Sequence, residues 1–456
     1  MGVEQRLGDG EFVDLKGESI TASSIRDLLI ADDLDPRGIR LRDARLDGVL
    51  DLADVQSKRP LVLVDCRTDS PVLLDRASLS SVDLSGLVAP AVSAAWLRLD
   101  HYLLLRNARL DGGEHDWAVD LAEAHLGGHL GLSGAHLTGA QYALHAPRLR
   151  VGGEVFLTDL RARGVVRLDG ARIGGNLRCG GADLAHDEGA LLAVDLQVEQ
   201  NVFLDGGFRA TSTAPPHRTV RMRGSRIGGQ LVLDGRASGP IALDLKHVRV
   251  GMELLLRADF ADGRVSLDGL TYVGVPRRAS LDDWLELLAT RTQRYASQPY
   301  LQLAAAHQAA GNERDVRRIR VAQQKDLLRR GRLTRWGRLW HRVTGATVGY
   351  GYRPAIALLW LAATLATAVV LVTAVAGPAG LTRAATGPCS AVEQIGLALN
   401  AATPLVKPDT QQRCQVLTTT GLGQFVVVAT WLLQALAWAF ATLFVAGFTG
   451  LVRKTT

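Results

Sequence analysis

The stretch Ala171-Arg172-Ile173-Gly174-Gly175-Asn176-Leu177 contains the pattern that decides the fold. It joins an Ala-Arg-apolar triplet to two glycines and then returns to alternating apolar positions. Related stretches begin at Ala44, Ala124 and Ser225. Aligned on the first glycine, the copies fall at 127, 152, 174, 199 (a glutamate), 228 and 251. The intervals of 25, 22, 25, 29 and 23 residues indicate a loose internal repeat.

This repeat predicts a mainly β fold, a right-handed parallel β-solenoid. A repeat of this length with period-2 alternation and corner glycines suits coils of short strands, whereas helical repeats need longer glycine-free runs. Aromatic residues make up 5% of the chain and there are 48 glycines, which fits thin stacked coils better than a core of large rings. At roughly 4.8 Å per coil, about ten coils would form a rod on the order of 50 Å long.

The composition shifts along the chain and divides it into segments. The solenoid and the helices that follow it account for residues 1–352, and two apolar runs account for most of the rest. The predicted segments are an N-terminal cap (1–37), the β-solenoid (38–274), a helical hairpin (278–330), an amphipathic juxtamembrane helix with its linker (331–352), a first transmembrane helix (353–377), an extracytoplasmic loop (378–422), a second transmembrane helix (423–450) and a cytoplasmic tail (451–456).

Histidines and aspartates in the repeats raise two alternatives to a structural role. His125, His129 and His136 suggest a metal site, but His125 and His136 occupy the arginine position of the triplet, which points to solvent. The tripeptide Leu-Asp-Gly occurs six times; repeated carboxylates suggest glycosidase-like acid/base chemistry, whereas Asp-Gly is also favoured at tight corners. We favour the surface and corner interpretations.

The repeats contain no nucleotide-binding motif of the G-x-G-x-x-G or G-x-x-x-x-G-K type in the required context. Cys66 and Cys179 lie far apart without a C-x-x-C partner, so we interpret them as unreactive thiols. The sequence therefore predicts no catalytic residues, no cofactor, no metal and no nucleic-acid partner.

Helix signals follow the repeats. Ser280-Leu281-Asp282-Asp283 is a capping-box pattern, Pro299 falls in the first turn of a second helix, and Gly311-Asn312 separates that helix from a third that extends to Arg330. This hairpin is expected to cover the last open coil and so to block edge pairing between molecules.

A helix with two contrasting faces follows the hairpin. Leu333, Trp336, Trp340 and Val343 share one face while arginines share the other, as in helices that lie in a membrane interface. A soluble helix packed on the hairpin is the alternative. The predicted membrane-interface residues are Arg332, Leu333, Arg335, Trp336, Arg338, Trp340, Arg342, Tyr350, Tyr352 and Arg353.

Two runs free of charge, Ala355 to Ala376 and Phe425 to Phe448, are 22 and 24 residues long, enough to cross about 30 Å of hydrocarbon. Arginines precede the first run and Arg453-Lys454 follow the second. The positive-inside rule therefore places both termini and the solenoid in the cytoplasm, with the plasma membrane spanned twice. No cleavable signal is expected, because the first thirty residues contain no basic region followed by an apolar core.

The intervening loop contains the remaining cysteines, Cys389 and Cys414. Because that loop alone meets an oxidising compartment, the two are candidates for a disulfide. Two free thiols are the alternative, since spacing does not establish bonding geometry.

Two regions resemble a family of actinobacterial two-span membrane proteins with pentapeptide-like or solenoid repeats, often labelled membrane-associated oxidoreductase. The first is Gln298-Pro299-Tyr300-Leu301-Gln302-Leu303-Ala304, followed by Gly311, Val316-Arg317-Arg318 and Gln323-Gln324-Lys325. The second is Val348-Gly349-Tyr350-Gly351-Tyr352-Arg353-Pro354. The resemblance covers nearly the whole chain. It implies an oxidoreductase and brings no catalytic residues with it.

Three functions are consistent with these features. The first is a membrane-tethered interaction or scaffold module that presents the solenoid to a cytoplasmic protein, with anionic lipid headgroups as a second partner. The second is the oxidoreductase that the resemblance implies. The third is an oligomeric channel or transporter in which 395–406 dips between the spans; because two spans cannot enclose a pore, it requires several subunits. Homo-oligomerisation is left open.

Overall fold

A computed structural model describes residues 2–331, 334–351, 355–376, 381–383, 389–402, 414–416 and 418–448. The chain divides into two compact units, Met1–Val316 and Arg317–Thr456. Each unit is described by itself.

The first unit is a parallel β-solenoid, which confirms the predicted fold class; its right-handed winding stays a prediction. Its strands form sheets of 11, 17 and 8 strands, and every pairing within them is parallel, as in Arg150 opposite Arg172. A coil has four successive strand positions, here called sides 1 to 4. Sides 2 and 3 together make the 17-stranded sheet, because several strands continue across the corner between them.

The strands are as follows. Side 1 comprises Phe12–Asp14, Ile39–Arg42, Leu61–Val64, Val82–Asp83, Leu103–Leu104, Leu130–Gly131, Val155–Phe156, Leu177–Arg178, Val202–Leu204, Leu231–Leu233 and Leu254–Leu256. Sides 2 and 3 comprise Ser19–Thr21, Arg45–Asp47, Leu50–Asp51, Arg67–Thr68, Val72–Leu73, Val88–Ala89, Val92–Ser93, Arg109–Leu110, Trp117–Asp120, His136–His145, Arg161–Arg167, Asp183–Ala185, Leu191–Leu192, Arg209–Thr211, Arg218–Arg221, Arg236–Asp244 and Ala261–Ser266. Side 4 comprises Ser78–Leu79, Arg98–Leu99, His125–Leu126, Arg150–Val151, Arg172–Ile173, Gln197–Val198, Arg226–Ile227 and Arg249–Val250.

The core is a stack of small apolar side chains. In the coil that begins at Val82, buried pairs two residues apart recur every five residues: Val82 and Leu84, Leu87 and Ala89, Val92 and Ala94, Leu97 and Leu99. Each pair faces inward from one side, and the residues between pairs turn the corner. Because each inward side chain packs on its equivalents in the neighbouring coils, no single coil can bury its own apolar surface.

The N-terminal end of the stack is closed by helices α1 (Val3–Gly8) and α2 (Ala22–Ile30). Ile25 and Leu29 of α2 are buried. Strands Phe12–Asp14 and Ser19–Thr21 pair in register with the first full coil. The segment 1–37, predicted as a cap, therefore also contributes part of a coil.

The C-terminal end is closed by α3 (Leu281–Glu286), which continues as a π-helical turn over Leu287–Arg291, and by α4 (Ser297–Ala309). The predicted capping box is present, since Ser280 Oγ accepts from Asp283 N and the Asp283 carboxylate accepts from Ser280 N. From α4, Gln298 bonds the backbone of the last coil at Gly269 N and Leu270 O. Gly311, at φ +76°, separates α4 from α5 (Glu313–Arg330), as predicted for the hairpin.

The second unit is helical and contains both apolar runs. After α6 (Arg335–Val348) and a 3-10 turn at Gly349–Gly351 come α7 (Ala355–Val370), with a π-helical continuation over Leu371–Ala376, then α8 (Ala391–Ala402) and α9 (Gly421–Phe448). Strands Leu381–Arg383 and Cys414–Val416 pair antiparallel. Ala355–Val375 and Gly421–Ala446 are long and apolar enough to cross a membrane, and α8 contacts both helices.

Candidate functional sites

A shallow groove runs along side 2 of the solenoid. Three adjoining depressions form it, each with a volume of about 400 Å³. Counted along the stack from its N-terminal end, the first and second depressions share Thr68, Asp69 and Val88. The second and third depressions share Thr138. The groove therefore continues along the stack from Gly17 to Thr213, and we call it the side 2 groove.

The lining of the side 2 groove balances its charges. It contains four arginines and four aspartates together with several hydroxyl groups: Arg45, Arg67, Arg109, Arg163, Asp43, Asp69, Asp111, Asp187, Thr68, Thr138, Thr211, Ser212 and Thr213. Some of these charges are paired, as in Arg45 Nη2 to Asp69 Oδ2 at 2.6 Å. Partial burial, followed by the influence of Arg161 and Arg109, lowers the pKa of His136 in the groove wall. Val88, with 37% of its surface exposed, supplies an apolar contact in the middle.

Side 4 presents a different surface, a column of basic side chains in strict register. Each outward residue stands directly over its equivalent in the next coil, at a spacing of about 4.8 Å. The column consists of Arg98, His125, Arg150, Arg172, Gln197, Arg226 and Arg249, and we call it the side 4 column. Its five arginines are exposed. In the part of the chain that the structure describes, none of these five forms an ion pair; the cross-coil pairs belong to other arginines.

The residue two positions after the arginine distinguishes the two surfaces. On side 2 this residue is an aspartate after Arg45, Arg67 and Arg109, and Asp47 lies beside the Arg45 guanidinium. On side 4 the same position is glycine at residues 127, 152, 174, 228 and 251, with Asp100 and Glu199 as exceptions. A Cβ on Gly174 would lie 2.3 Å from the backbone oxygen of Gly152 in the coil below. The coils therefore stack too closely for side chains at most of these positions.

Beyond the glycines, a ladder of polar side chains joins side 4 to side 1. Asn176 donates to Glu154 Oε1 at 2.5 Å, and its own Oδ1 accepts from Asn201 Nδ2 at 3.0 Å. Asn201 Oδ1 in turn accepts from Gln230 N at 2.7 Å. These bonds satisfy polar groups that the corner buries, so the ladder stabilises the stack.

A polar network on side 3 was not predicted from the sequence. His145 Nδ1 lies 3.0 Å from Asp120 Oδ1, and the ring of Tyr142 stands 4.8 Å from the imidazole. Arg167 continues the network, bonded to Asp169 at 2.8 Å. Asp120 and His145, like Tyr142 and Arg167, are 25 residues apart in sequence and meet because the coils stack here, so the network joins adjacent coils.

The structure places the residues considered for chemistry as follows. His125 and His136 stand in the outward columns of sides 4 and 2, in register with arginines, and no group of three metal-ligating side chains occurs among the described residues. Five of the six Leu-Asp-Gly glycines have positive φ, which supports the corner interpretation. Gly235 is the exception, where a Cβ would meet Phe208 O at 2.4 Å, so this glycine serves close packing.

The four cysteines differ in environment. Cys66 and Cys179 are free and buried, and burial raises the pKa of Cys66 to about 11 and that of Cys179 to about 12, so neither thiol is nucleophilic at neutral pH. Cys389 is disulfide-bonded. The side chain of Cys414 lies outside the described residues, and its pairing with Cys389 stays a prediction.

The predicted juxtamembrane helix forms as α6, capped by Thr334 Oγ1, which accepts from Gly337 N at 3.1 Å. Two of its apolar side chains are largely exposed, Trp336 at 81% and Trp340 at 68%, while Trp360 of α7 donates to Ala346 O at 2.9 Å. Arg335, Arg338 and Arg342 belong to the same helix. Arg332, Leu333, Tyr352 and Arg353 lie outside the described residues. A role at the interface stays a prediction.

Comparison of the chain with protein families, with curated proteins and with solved structures finds no match. Function is therefore argued from the groove, the column and the apolar helices alone. Oxidoreductase activity and channel assembly stay predictions of the sequence.

Proposed function

We propose that the chain is a membrane-tethered interaction module whose solenoid, on the cytoplasmic side of the plasma membrane, binds an extended segment of a cytoplasmic protein. The observation that carries the proposal is the continuity of the side 2 groove along the coils. A rigid repeat surface of this kind suits a partner that lies along the stack.

The chemistry of the groove favours a protein partner. Because its lining contains equal numbers of arginines and aspartates, it does not attract a uniform polyanion. Charges of both signs, hydroxyl groups and the exposed Val88 offer a polypeptide ion pairs, hydrogen bonds and apolar contact together. Electrostatic complementarity of this type selects a partner more than it adds affinity.

The tether rests on the two candidate spans and on the basic residues beside them, Arg335 and Arg338 among others. The positive-inside rule then assigns both termini to the cytoplasm. A reporter that is active only outside the membrane, fused after Thr456, should be silent. Activity of that reporter would contradict the assignment.

Thiol labelling of intact cells gives an independent measure of the same topology. An impermeant maleimide should label Cys389 only after reduction, since Cys389 is disulfide-bonded. Cys66 and Cys179 should stay unlabelled in both conditions because they are buried. Labelling of Cys389 without a reductant would contradict the disulfide and its predicted oxidising compartment.

A photocrosslinking amino acid placed at Val88 in native membranes tests the groove. It should give a defined protein adduct that Arg109→Glu abolishes and Arg109→Lys retains, because the groove wall would keep its charge in the second variant. The same amino acid at Trp96, which is also exposed but lies outside the groove lining, is the control. Equal adducts at both positions, or an adduct that survives Arg109→Glu, would remove the groove from the proposal.

A further inference from the structure

The stacked arginines of the side 4 column lower the stability of the solenoid, and this loss of stability requires an explanation. Like charges directly opposite each other in neighbouring strands are destabilising, and Arg150 and Arg172 are direct neighbours, as are Arg226 and Arg249. Elsewhere in the solenoid some arginines are neutralised across coils: Arg45 also stands opposite Arg67 on side 2, but Asp69 Oδ2 lies 2.6 Å from its Nη2. The column thus leaves its charge available to something outside the chain.

The surroundings of the column limit what that partner can be. The adjoining column is mostly glycine, so the partner meets guanidinium groups beside bare backbone. No side chains at those glycines can form the pockets that hold a protein's anchoring residues. The two carboxylates of the adjoining column, Asp100 and Glu199, form no ion pair among the described residues. The five arginines outnumber them, so the strip is net positive.

We infer that the side 4 column binds the anionic lipid surface of the membrane to which the chain is tethered. A row of exposed arginines on a flat strip needs from its partner only a plane of negative charge, and anionic headgroups attract basic residues of this kind. The inference rests on the tether of the proposed function, because two candidate spans in the same chain hold the solenoid at a high effective concentration near headgroups.

This assignment also separates the roles of the side 2 groove and the side 4 column. Sides 2 and 4 are not adjacent in the four-sided coil, so lipid contact along side 4 leaves the side 2 groove open. The mixed charge of the groove suits a protein, whereas the unpaired charge of the column suits a lipid surface. An acidic protein on side 4 is the competing occupant, and lipid dependence distinguishes the two.

The test uses the full chain in lipid nanodiscs. A fluorophore attached at Gln197→Cys reports on the middle of the column, and one at Val88→Cys reports on side 2. The native free cysteines are buried, so labelling is directed to the introduced thiol. Nanodiscs contain a headgroup-linked quencher in either phosphatidylcholine alone or phosphatidylcholine with phosphatidylglycerol.

Quenching of the Gln197→Cys probe should be at least twofold greater with phosphatidylglycerol, and 0.5 M salt should remove the difference because the interaction is screened. The triple variant Arg150→Gln, Arg172→Gln, Arg226→Gln should lose the greater quenching in phosphatidylglycerol, whereas the corresponding lysine variant should retain it. The Val88→Cys probe should not respond to lipid charge. Far-ultraviolet circular dichroism of each variant checks that the solenoid remains folded.

Equal quenching in the two lipids, a response that the glutamine variant retains, or equal responses of both probes would overturn the inference. Failure of the chain to insert into nanodiscs would instead contradict the tether. Insertion without a lipid-dependent signal at Gln197→Cys would contradict the side 4 assignment alone and would favour the acidic protein.

Discussion

Sides 2 and 4 of the solenoid share one sequence motif, in which an arginine stands between two apolar residues. The two sides nevertheless form different surfaces. On side 2, Arg45 is followed by Asp47 and pairs with Asp69 at 2.6 Å. On side 4, Arg172 is followed by Gly174 and has no carboxylate partner among the described residues. For Arg45 and Arg172, the residue two positions later thus distinguishes a charge that is paired within the fold from one without a carboxylate partner among the described residues.

Backbone packing can therefore determine surface electrostatics. Side 4 lacks carboxylates at most of these positions because the coils approach so closely that a Cβ would clash with a carbonyl oxygen below. On side 2 the equivalent positions carry side chains such as Asp47, Asp69 and Thr138. We therefore expect backbone packing to contribute most to the stability of the solenoid, hydrogen bonding less and surface charge least.

The largest effect is expected from Gly174→Ala. The new Cβ would lie 2.3 Å from Gly152 O, and because both atoms belong to stacked backbones neither can move freely. Overpacking of this kind should lower the free energy of unfolding by about 2–3 kcal/mol, measured by urea unfolding of the full chain in detergent.

Gly180→Ala is the matched control for that variant. Its nearest atom would be a side-chain oxygen, Asp205 Oδ1, at 3.2 Å, so a small side-chain movement makes room and the change should be under about 1 kcal/mol. Equal losses in the two variants would contradict the close-stacking explanation for the glycines of side 4.

Asn176→Ala should have the next largest effect. Asn176 is buried and bonds both Glu154 and Asn201, so its loss removes these bonds from partly buried groups at a cost of about 1–2 kcal/mol. Gln200→Ala removes an exposed amide from the neighbouring corner and should change the urea midpoint little. A neutral Asn176→Ala would show that the ladder does not stabilise the stack.

The smallest effect distinguishes the two arginine surfaces by sign. Arg172→Gln removes a like-charge neighbour of Arg150 and should stabilise the solenoid by about 0.5 kcal/mol. Arg45→Gln instead removes exposed ion pairs with Asp69 and Asp47 and should cost about 0.5 kcal/mol. Urea midpoints at low and high salt measure the stability change of each variant, and both changes should be smaller at high salt because the charges are screened. The same sign for the two variants would contradict the comparison.

The sequence predicts the solenoid well because its periodicity repeats in every coil. The glycine alignment that begins at residue 127 matches the strand register of side 4, since His125, Arg150 and Arg172 are consecutive partners. The helical cap was also predictable, because Ser280 and Gly311 are local signals that need no knowledge of distant contacts.

The surfaces could not be predicted in the same way. The same motif occurs on two sides of a coil, so the sequence alone does not show that Arg45 lies on side 2 and Arg172 on side 4 until the corners are known. The side 3 network of Asp120 and His145 joins residues one coil apart, and the coil lengths vary too much for such pairs to be aligned by eye. For a future sequence, the useful signal is Asp or Gly at the second position after the arginine.

The cap at the C-terminal end determines how the length of this protein can change in evolution. Gln298 and Gln302 bond the backbone of the last coil at Gly269, Leu270 and Tyr272, and coils contact chiefly their immediate neighbours. Duplication or loss of an internal coil would therefore leave the cap and everything after it unchanged. The solenoid can act as a ruler that lengthens or shortens in steps of about 4.8 Å, so selection can adjust its reach one coil at a time.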